Sequence, residues 1–339
     1  MGAQCKSRVL PGTGDGMNVL DWILLLLLAA AGLRCYLRIA PALNLIDHPN
    51  ERSLHVTPTV VGAGVVPMLT LVGVIALNSD LPSAFAVAAL MLGLVLIGLW
   101  DDRVGIAPGL RLICYVIAGL AVSSMMMTAG SAEWLLILVV GVAVAWCINL
   151  VNFMDGIDGL VTVHAICIAV TLGLTATFHP SEILADDLVM LCWALIACFA
   201  PLMWLNWPPA RVFMGDAGAV PLGFFLALLG MLAAVAHASL GYVWLICMMP
   251  LLVDTGMTLL MRSWVGHAPH VAHRDHAYQR LALSAGSPLP VVLGLLAMHV
   301  LWLFPLAVTA VITDLFPALL VFLSAIPSVI LVVYARGRD

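Results

Sequence analysis

The sequence predicts an all-α polytopic membrane protein with 10–11 transmembrane helices and an active site on the cytoplasmic face. Three observations predict it. Of 339 residues, 63% are hydrophobic and only 9% are charged, whereas a water-soluble domain carries about a quarter charged residues. The apolar runs are continuous rather than alternating, which selects helices over a transmembrane barrel. Basic and acidic residues also segregate to opposite ends of these runs.

Roughly 20 apolar residues cross a bilayer core as a helix. Eleven windows qualify: 19–40, 60–77, 84–100, 111–128, 134–151, 160–178, 186–205, 218–236, 240–261, 290–312 and 316–335. Turn chemistry separates them, at Asn78-Ser79-Asp80 with Pro82, Gly130-Ser131, His179-Pro180, Pro208-Pro209 and Asp314 before Pro317. The junctions near 236–241 and 313–316 are weak, and losing one leaves ten spans. Residues 1–18 form an N-terminal tail and 19–339 a single membrane-embedded domain. Most of the eight cysteines lie inside apolar runs and none forms a C-x-x-C pair, so they are expected to be small core residues.

Eleven of the thirteen Lys and Arg residues sit at alternate helix ends, from Arg34 and Arg38 through Arg103 and Arg211 to Arg336 and Arg338. The positive-inside rule makes those ends cytoplasmic and, with eleven spans, puts the C-terminus inside and the N-terminus outside. The opposite ends carry Asp80, Glu133, Glu182, Asp186, Asp187 and Asp314 with no basic residue. Lys6 and Arg8 conflict with an external N-terminus; translation starting at Met17 would remove the conflict.

Five polar segments interrupt the apolar sequence. Asp101-Asp102-Arg103 ends a run, and two adjacent carboxylates stay charged only beside water, a cation or a basic group. In N149-L-V-N152-F-M-D155-G-I-D158-G-L160, helical spacing puts Asn149 and Asn152 on one side. The two Asp-Gly pairs then break the helix into a loop that a ligand can approach. F213-M-G-D216-A-G218 sets an acid between glycines at a helix start, where backbone N–H groups and a carboxylate can face one small ligand; a plain N-cap is the competing use. The stretch from His267 to Arg280, with His273, Arg274 and His276, offers donors suited to phosphate oxygens. It lacks the Cys or Glu that would complete a zinc site. Asp47 to His55, with Arg52, either touches a ligand or lines the membrane surface.

Taken in chain order, from Asp47–His55 through Asp101-Asp102, Asn149–Leu160 and Phe213–Gly218 to the His-rich stretch, and covering about residue 40 to about 285, the segments resemble the polyprenyl-phosphate N-acetylhexosamine-1-phosphate transferases of glycosyltransferase family 4. These include peptidoglycan translocase I and the enzymes that initiate O-antigen and enterobacterial common antigen. The stretch His273–Arg280 looks most like the O-antigen-initiating branch and departs from the consecutive histidines of translocase I.

The resemblance implies transfer of a sugar 1-phosphate from a UDP-N-acetylhexosamine (GlcNAc, or a 6-deoxy relative such as FucNAc or QuiNAc) to undecaprenyl phosphate, with release of UMP. It implies a bacterial inner-membrane location, and Mg2+, with Mn2+ as a substitute, held by Asp216 and Asn152. Asp101 and Asp102 would orient or deprotonate the lipid phosphate, and Arg111 would contact phosphate. Asp158 would hold the uracil or its ribose, with Asn149 and Asp155 supporting the loop. His273, Arg274 and His276 would close over the diphosphate, with Arg52 and His55 as further substrate contacts. Partners are the nucleotide sugar, the lipid phosphate and membrane lipid, with a homodimer by similarity and no nucleic acid. The alternatives are a translocase I-like phospho-MurNAc-pentapeptide transferase and, in a different class, a transporter of an anionic solute. A transporter needs ionisable groups at mid-span, and Asp254 is the one good candidate.

Overall fold

The computed structural model describes residues 17–49, 57–79, 81, 83–126, 134–178, 183–264, 275–313 and 316–337. Helix α1 (Val19–Ile39) opens with a capping box: Asn18 accepts from Leu20 and Asp21 N–H, and Asp21 accepts from Asn18 N–H. A 3-10 turn (Ala40–Leu43) then leads into a two-residue strand, β1 (Ile46–Asp47), paired antiparallel with β2 (Thr59–Val60). Next come α2 (Val65–Asn78), α3 (Ala84–Val104), α4 (Pro108–Met126), α5 (Trp134–Met154), α6 (Leu160–Ala176), α7 (Ile183–Asn206), α8 (Asp216–Ala236) and α9 (Ala238–Trp264). A short helix, α10 (Ala277–Ala285), precedes α11 (Leu289–Met298), a π turn (His299–Leu303) and α12 (Phe304–Ile312), which together form one continuous rod; α13 (Pro317–Arg336) follows.

Among the described residues, nine helical stretches are long and apolar enough to cross a membrane, and α2 and α6 are shorter apolar helices of 14 and 17 residues. Together they correspond to the eleven windows read from the sequence. Both weak junctions are real breaks. His237 (φ −161°, ψ 139°) and Thr313 (φ −130°, ψ 156°) are extended and end α8 and α12. One boundary shifts: α2 begins at Val65 rather than residue 60, because residues 59–60 form β2, the chain turns at Gly62 (φ +80°), and the backbone of residues 60, 63 and 64 pairs with residues 213–214. The short α10 lies in the stretch between Arg262 and Pro290, where no apolar window marks a helix.

Helix α8 is the centre of the bundle. It is buried nearly all round and packs against α3, α5, α7 and α9. Lipid is as apolar as the side chains, so association rests on close packing, which small residues permit. A Cβ at Gly98 on α3 would stand 2.2 Å from the Asp216 carbonyl oxygen, one at Gly223 on α8 2.6 Å from Ile148 Cα on α5, and one at Gly64 2.4 Å from Gly218 Cα. Each glycine lets two backbones touch where α8 meets a neighbour. These contacts fix the helix ends that carry the polar residues.

Candidate active site

The start of α8 is built from three parts of the chain. Residues 59–64 run beside 212–214: Phe213 N donates to Val60 O at 2.8 Å, Ala63 N to Phe213 O at 3.1 Å and Gly64 N to Met214 O at 2.9 Å. The turn into the helix needs Gly215, whose φ is +70° and whose Cβ, if it had one, would stand 2.6 Å from an Asp102 oxygen. Gly215 is the N-cap and has no side chain to satisfy the first helical N–H groups. Asp102, from the last turn of α3, satisfies them instead, accepting from Asp216 N at 2.8 Å and Ala217 N at 2.9 Å. Asp216 is therefore not the cap of its own helix, and its carboxylate projects elsewhere.

It projects into a cluster from four helices. Asn152 Nδ2, on the last turn of α5, donates to Asp216 Oδ1 at 2.7 Å. Arg111, one turn into α4, donates to Asp216 Oδ2 at 2.9 Å and pairs also with Asp101, which further accepts from Ile106 N. Asp101 is the most covered member, its side chain 8% exposed against 26% for Arg111 and 27% for Asp216. Two carboxylates thus face one guanidinium. Among the described residues no three Asp, Glu, His or Cys side chains gather as a self-sufficient metal cage. The donor set is nonetheless all oxygen, carries surplus negative charge and is partly open to water. These properties suit Mg2+, which takes one or two carboxylates and keeps several waters.

The loop after α5 is pinned from the far side. Asp158 accepts from Ala210 N at 2.9 Å, so one oxygen of this expected nucleoside ligand is already engaged in holding the 206–211 segment. Asn206, the last residue of α7, takes Gly159 N at 3.0 Å and Thr162 Oγ1 at 3.1 Å and donates to Val212 O at 2.9 Å. It is 3% exposed. Sequence reasoning missed Asn206; its one visible signal is an amide closing an apolar run just before Trp-Pro-Pro. Asp155 lies off the helix that carries Asn149 and Asn152. Its burial, then the charges of Asp102 and Asp158, push its carboxyl up to about 8. Asn149 is half-buried, one turn before Asn152.

Helix α10 closes another side. Tyr278 Oη donates to Phe153 O at 2.8 Å, and burial keeps this phenol protonated and able to donate. His276 is corrected by the structure: it is 3% exposed and sits on an extended residue ahead of α10, with Nδ1 3.2 Å from Asp254. Its ring is turned into the protein, against Asp254. Asp254 is likewise committed, to the start of α10, which removes the one mid-span acid a transporter would use. Arg52, His55, His273 and Arg274 lie outside the described residues. Both Asp102 oxygens accept from the first N–H groups of α8.

Fold and site define a multi-pass, all-α membrane protein with an acid–amide–guanidinium cluster where apolar helices end. Residues 84–234, just under half of the chain, match Glycosyl transferase family 4. That stretch contains Asp101, Asp102, Arg111, Asn152 and Asp216. The chain is also similar to three curated proteins, each named phospho-N-acetylmuramoyl-pentapeptide-transferase. It is 40% identical to that of Nautilia profundicola over 27% of this chain and 28% of the relative. It is 29% identical to that of Rhodopseudomonas palustris over 54% and 59%, and 30% identical to that of Campylobacter jejuni over 52% and 60%. The chain thus spans about three fifths of the last two relatives and less of the first.

Proposed function

We propose that the protein transfers a sugar 1-phosphate from a UDP-linked N-acetylated sugar to undecaprenyl phosphate, on the cytoplasmic face of the membrane. The single observation that carries this is the meeting of Asp216, Asn152, Arg111 and Asp101 from four helices at one membrane boundary. Two diphosphate charges and a lipid phosphate repel one another, so a site for their reaction needs a cation, a guanidinium and carboxylates to hold the cation. Asp216 would hold Mg2+, with the Asn152 amide oxygen as its partner. Bound there, the ion supplies charge neutralisation and polarises the attacked phosphorus.

The chain's own residues do the rest. Arg111 exchanges a carboxylate contact for a phosphate oxygen, a pairing that guanidinium favours. Asp101 keeps Arg111 aimed. Asp102 fixes the start of α8 and with it the direction of Asp216. An oxygen of the lipid phosphate attacks the β-phosphorus in line. A new P–O bond forms, the bond from that phosphorus to the bridging oxygen breaks, and UMP leaves with the electron pair. An apolar cavity of about 290 Å³ runs from Met154 and Leu160, at the two ends of the site loop, to Leu331 and Val332 on α13. Such a lining suits a hydrocarbon chain.

Two donors compete. The names of the relatives favour UDP-MurNAc-pentapeptide, the translocase I substrate, over the O-antigen type of donor that the His273–Arg280 stretch resembles. The second donor, UDP-GlcNAc or a 6-deoxy relative, is favoured by the lack of consecutive histidines in that stretch. Purified protein supplied with undecaprenyl phosphate, Mg2+ and each UDP-sugar in turn tests both. UMP release and a lipid-linked product with the pentapeptide donor are expected. Product with UDP-GlcNAc alone reverses the donor assignment, and no UMP with any donor ends the proposal.

A further inference from the structure

Helix α9 carries Asp254, Thr258 and Arg262 at spacings of four, so they form a polar stripe along one face of an otherwise apolar rod. All three are buried. An acid at this depth is costly unless it is fully bonded, and Asp254 is. Its Oδ1 accepts from Ala277 N at 3.0 Å, with Thr258 Oγ1 at 3.3 Å and His276 Nδ1 at 3.2 Å; its Oδ2 accepts from Tyr278 N at 3.1 Å. Helix α10 has no side-chain cap from its own N-cap residue, His276. Asp254 supplies that cap from 23 residues upstream. Arg262, two turns on, pairs with Asp275 just ahead of the helix.

What α10 does with this anchorage is visible at its other contact. Tyr278, whose N–H is held by Asp254, reaches the Phe153 carbonyl with its hydroxyl. A Cβ at Gly156 would stand 2.2 Å from Tyr278 Oη and 2.9 Å from Gln279 Nε2. Phe153 directly follows Asn152, and Gly156 directly follows Asp155. One unbroken chain of contacts therefore runs from a membrane-embedded carboxylate, through the first turn of α10, to the segment that presents Asn152. The fold uses the same device at α8, where Asp102 on α3 caps a helix of another segment.

We infer that Asp254 is a positioning residue: by capping α10 from within α9 it holds Tyr278 against Phe153 and Gly156, and so fixes the Asn152–Asp158 segment for catalysis. The kinetic part of this inference rests on the transferase function proposed above; the structural part does not.

The test is a cycle of Asp254→Ala, Tyr278→Phe and the double variant in purified protein. Two measurements are made, hydrogen exchange over residues 276–285 and steady-state UMP release. Losing the charged cap should speed amide exchange at the start of α10 roughly tenfold in Asp254→Ala. Tyr278→Phe should leave that exchange unchanged. Each single variant should lower kcat by roughly ten- to hundredfold with a smaller change in KM, and the double variant should be no worse than the weaker single one. Asp254→Asn, which keeps one acceptor, should restore part of both signals, and it stands in for the alanine variant should that fail to fold. Unchanged exchange in the Asp254 variants overturns the inference, and so do multiplying kinetic losses. A wild-type protein that releases no UMP defeats the proposed function instead, and the exchange data still decide whether Asp254 anchors α10.

Discussion

Asn152 and Asp216 are 64 positions apart in the chain, yet the amide of one donates to the carboxylate of the other at 2.7 Å. The register between α5 and α8 explains the meeting. Gly223, two turns into α8, lies against Ile148, one turn before Asn152 on α5. With backbones in contact there, the end of α5 and the start of α8 have little freedom to slide, and the two polar groups meet where the helices stop. The site depends on glycines that carry no functional group.

Gly98 allows a direct check of that dependence. A Cβ there would meet the backbone of Asp216 and Ala217, whereas Gly93 on the same helix has nothing within 4 Å. Gly98→Ala is expected to cost about 1–3 kcal/mol and to lower activity sharply by displacing Asp216. Gly93→Ala is expected to be neutral or to stabilise by up to about 1 kcal/mol through helix propensity. Thermal unfolding in detergent beside UMP release separates the two, and equal behaviour of the variants would count against close α3–α8 packing.

Arg111 balances Asp101 and Asp216 at once. Removing it in Arg111→Ala leaves carboxylates facing one another with no cation between them. A loss of about 1–3 kcal/mol is expected, between the values for exposed and buried pairs, and activity should fall at least a hundredfold. Arg111 reaches both acids through one nitrogen, Nη1, so Arg111→Lys keeps the charge between them but loses the planar fork that pairs with phosphate, and stability should recover further than turnover. Melting curves and rates on the same preparations check this.

Much of the architecture was legible because apolar runs of bilayer length are hard to read as anything else, and because acids and amides stand out between them. Residue type singled out the segments holding Asp101, Asn152 and Asp216, and the family resemblance added Arg111 and the pairing of Asn152 with Asp216. What lay hidden was which polar groups serve the fold. Asp102 and Asp254 look like ligands or pathway residues in sequence, yet each caps a helix of another segment, a partnership that no local spacing encodes. His276 misled for the same reason. Asn206 and the pairing of residues 59–64 with 212–214 are long-range backbone contacts, and a single sequence carries no period for those.

Asn206 joins three segments with one buried amide. Asn206→Ala would leave Gly159 N and Val212 O without partners and should cost about 2–4 kcal/mol. Because Gly159 ends the Asp155–Asp158 loop, nucleotide affinity should weaken as well. Isothermal titration with UMP, run beside a melting curve, would show both effects; unaltered UMP affinity would separate Asn206 from the loop.

Asp155 gives a pH signature. Its carboxyl is raised in the folded protein from an ordinary value near 3.8 to about 8. A raised folded value means that stability present at acidic pH is lost as pH rises, through the window from about 4 to about 8. Asp155→Asn removes that loss. In EDTA its thermal midpoint should match wild type near pH 4 and exceed it by a margin that grows towards pH 8. A constant margin, or one of opposite sign, would refute the assignment.

Electron paramagnetic resonance of Mn2+ tests the metal-gripping role of Asp216 most directly, because it needs no knowledge of the donor sugar. With UMP present, wild-type protein should show a saturable bound Mn2+ signal that Mg2+ displaces. Asp216→Ala should remain folded in detergent and lose that signal. A folded Asp216→Ala variant that binds Mn2+ as wild type does would contradict the account at its centre.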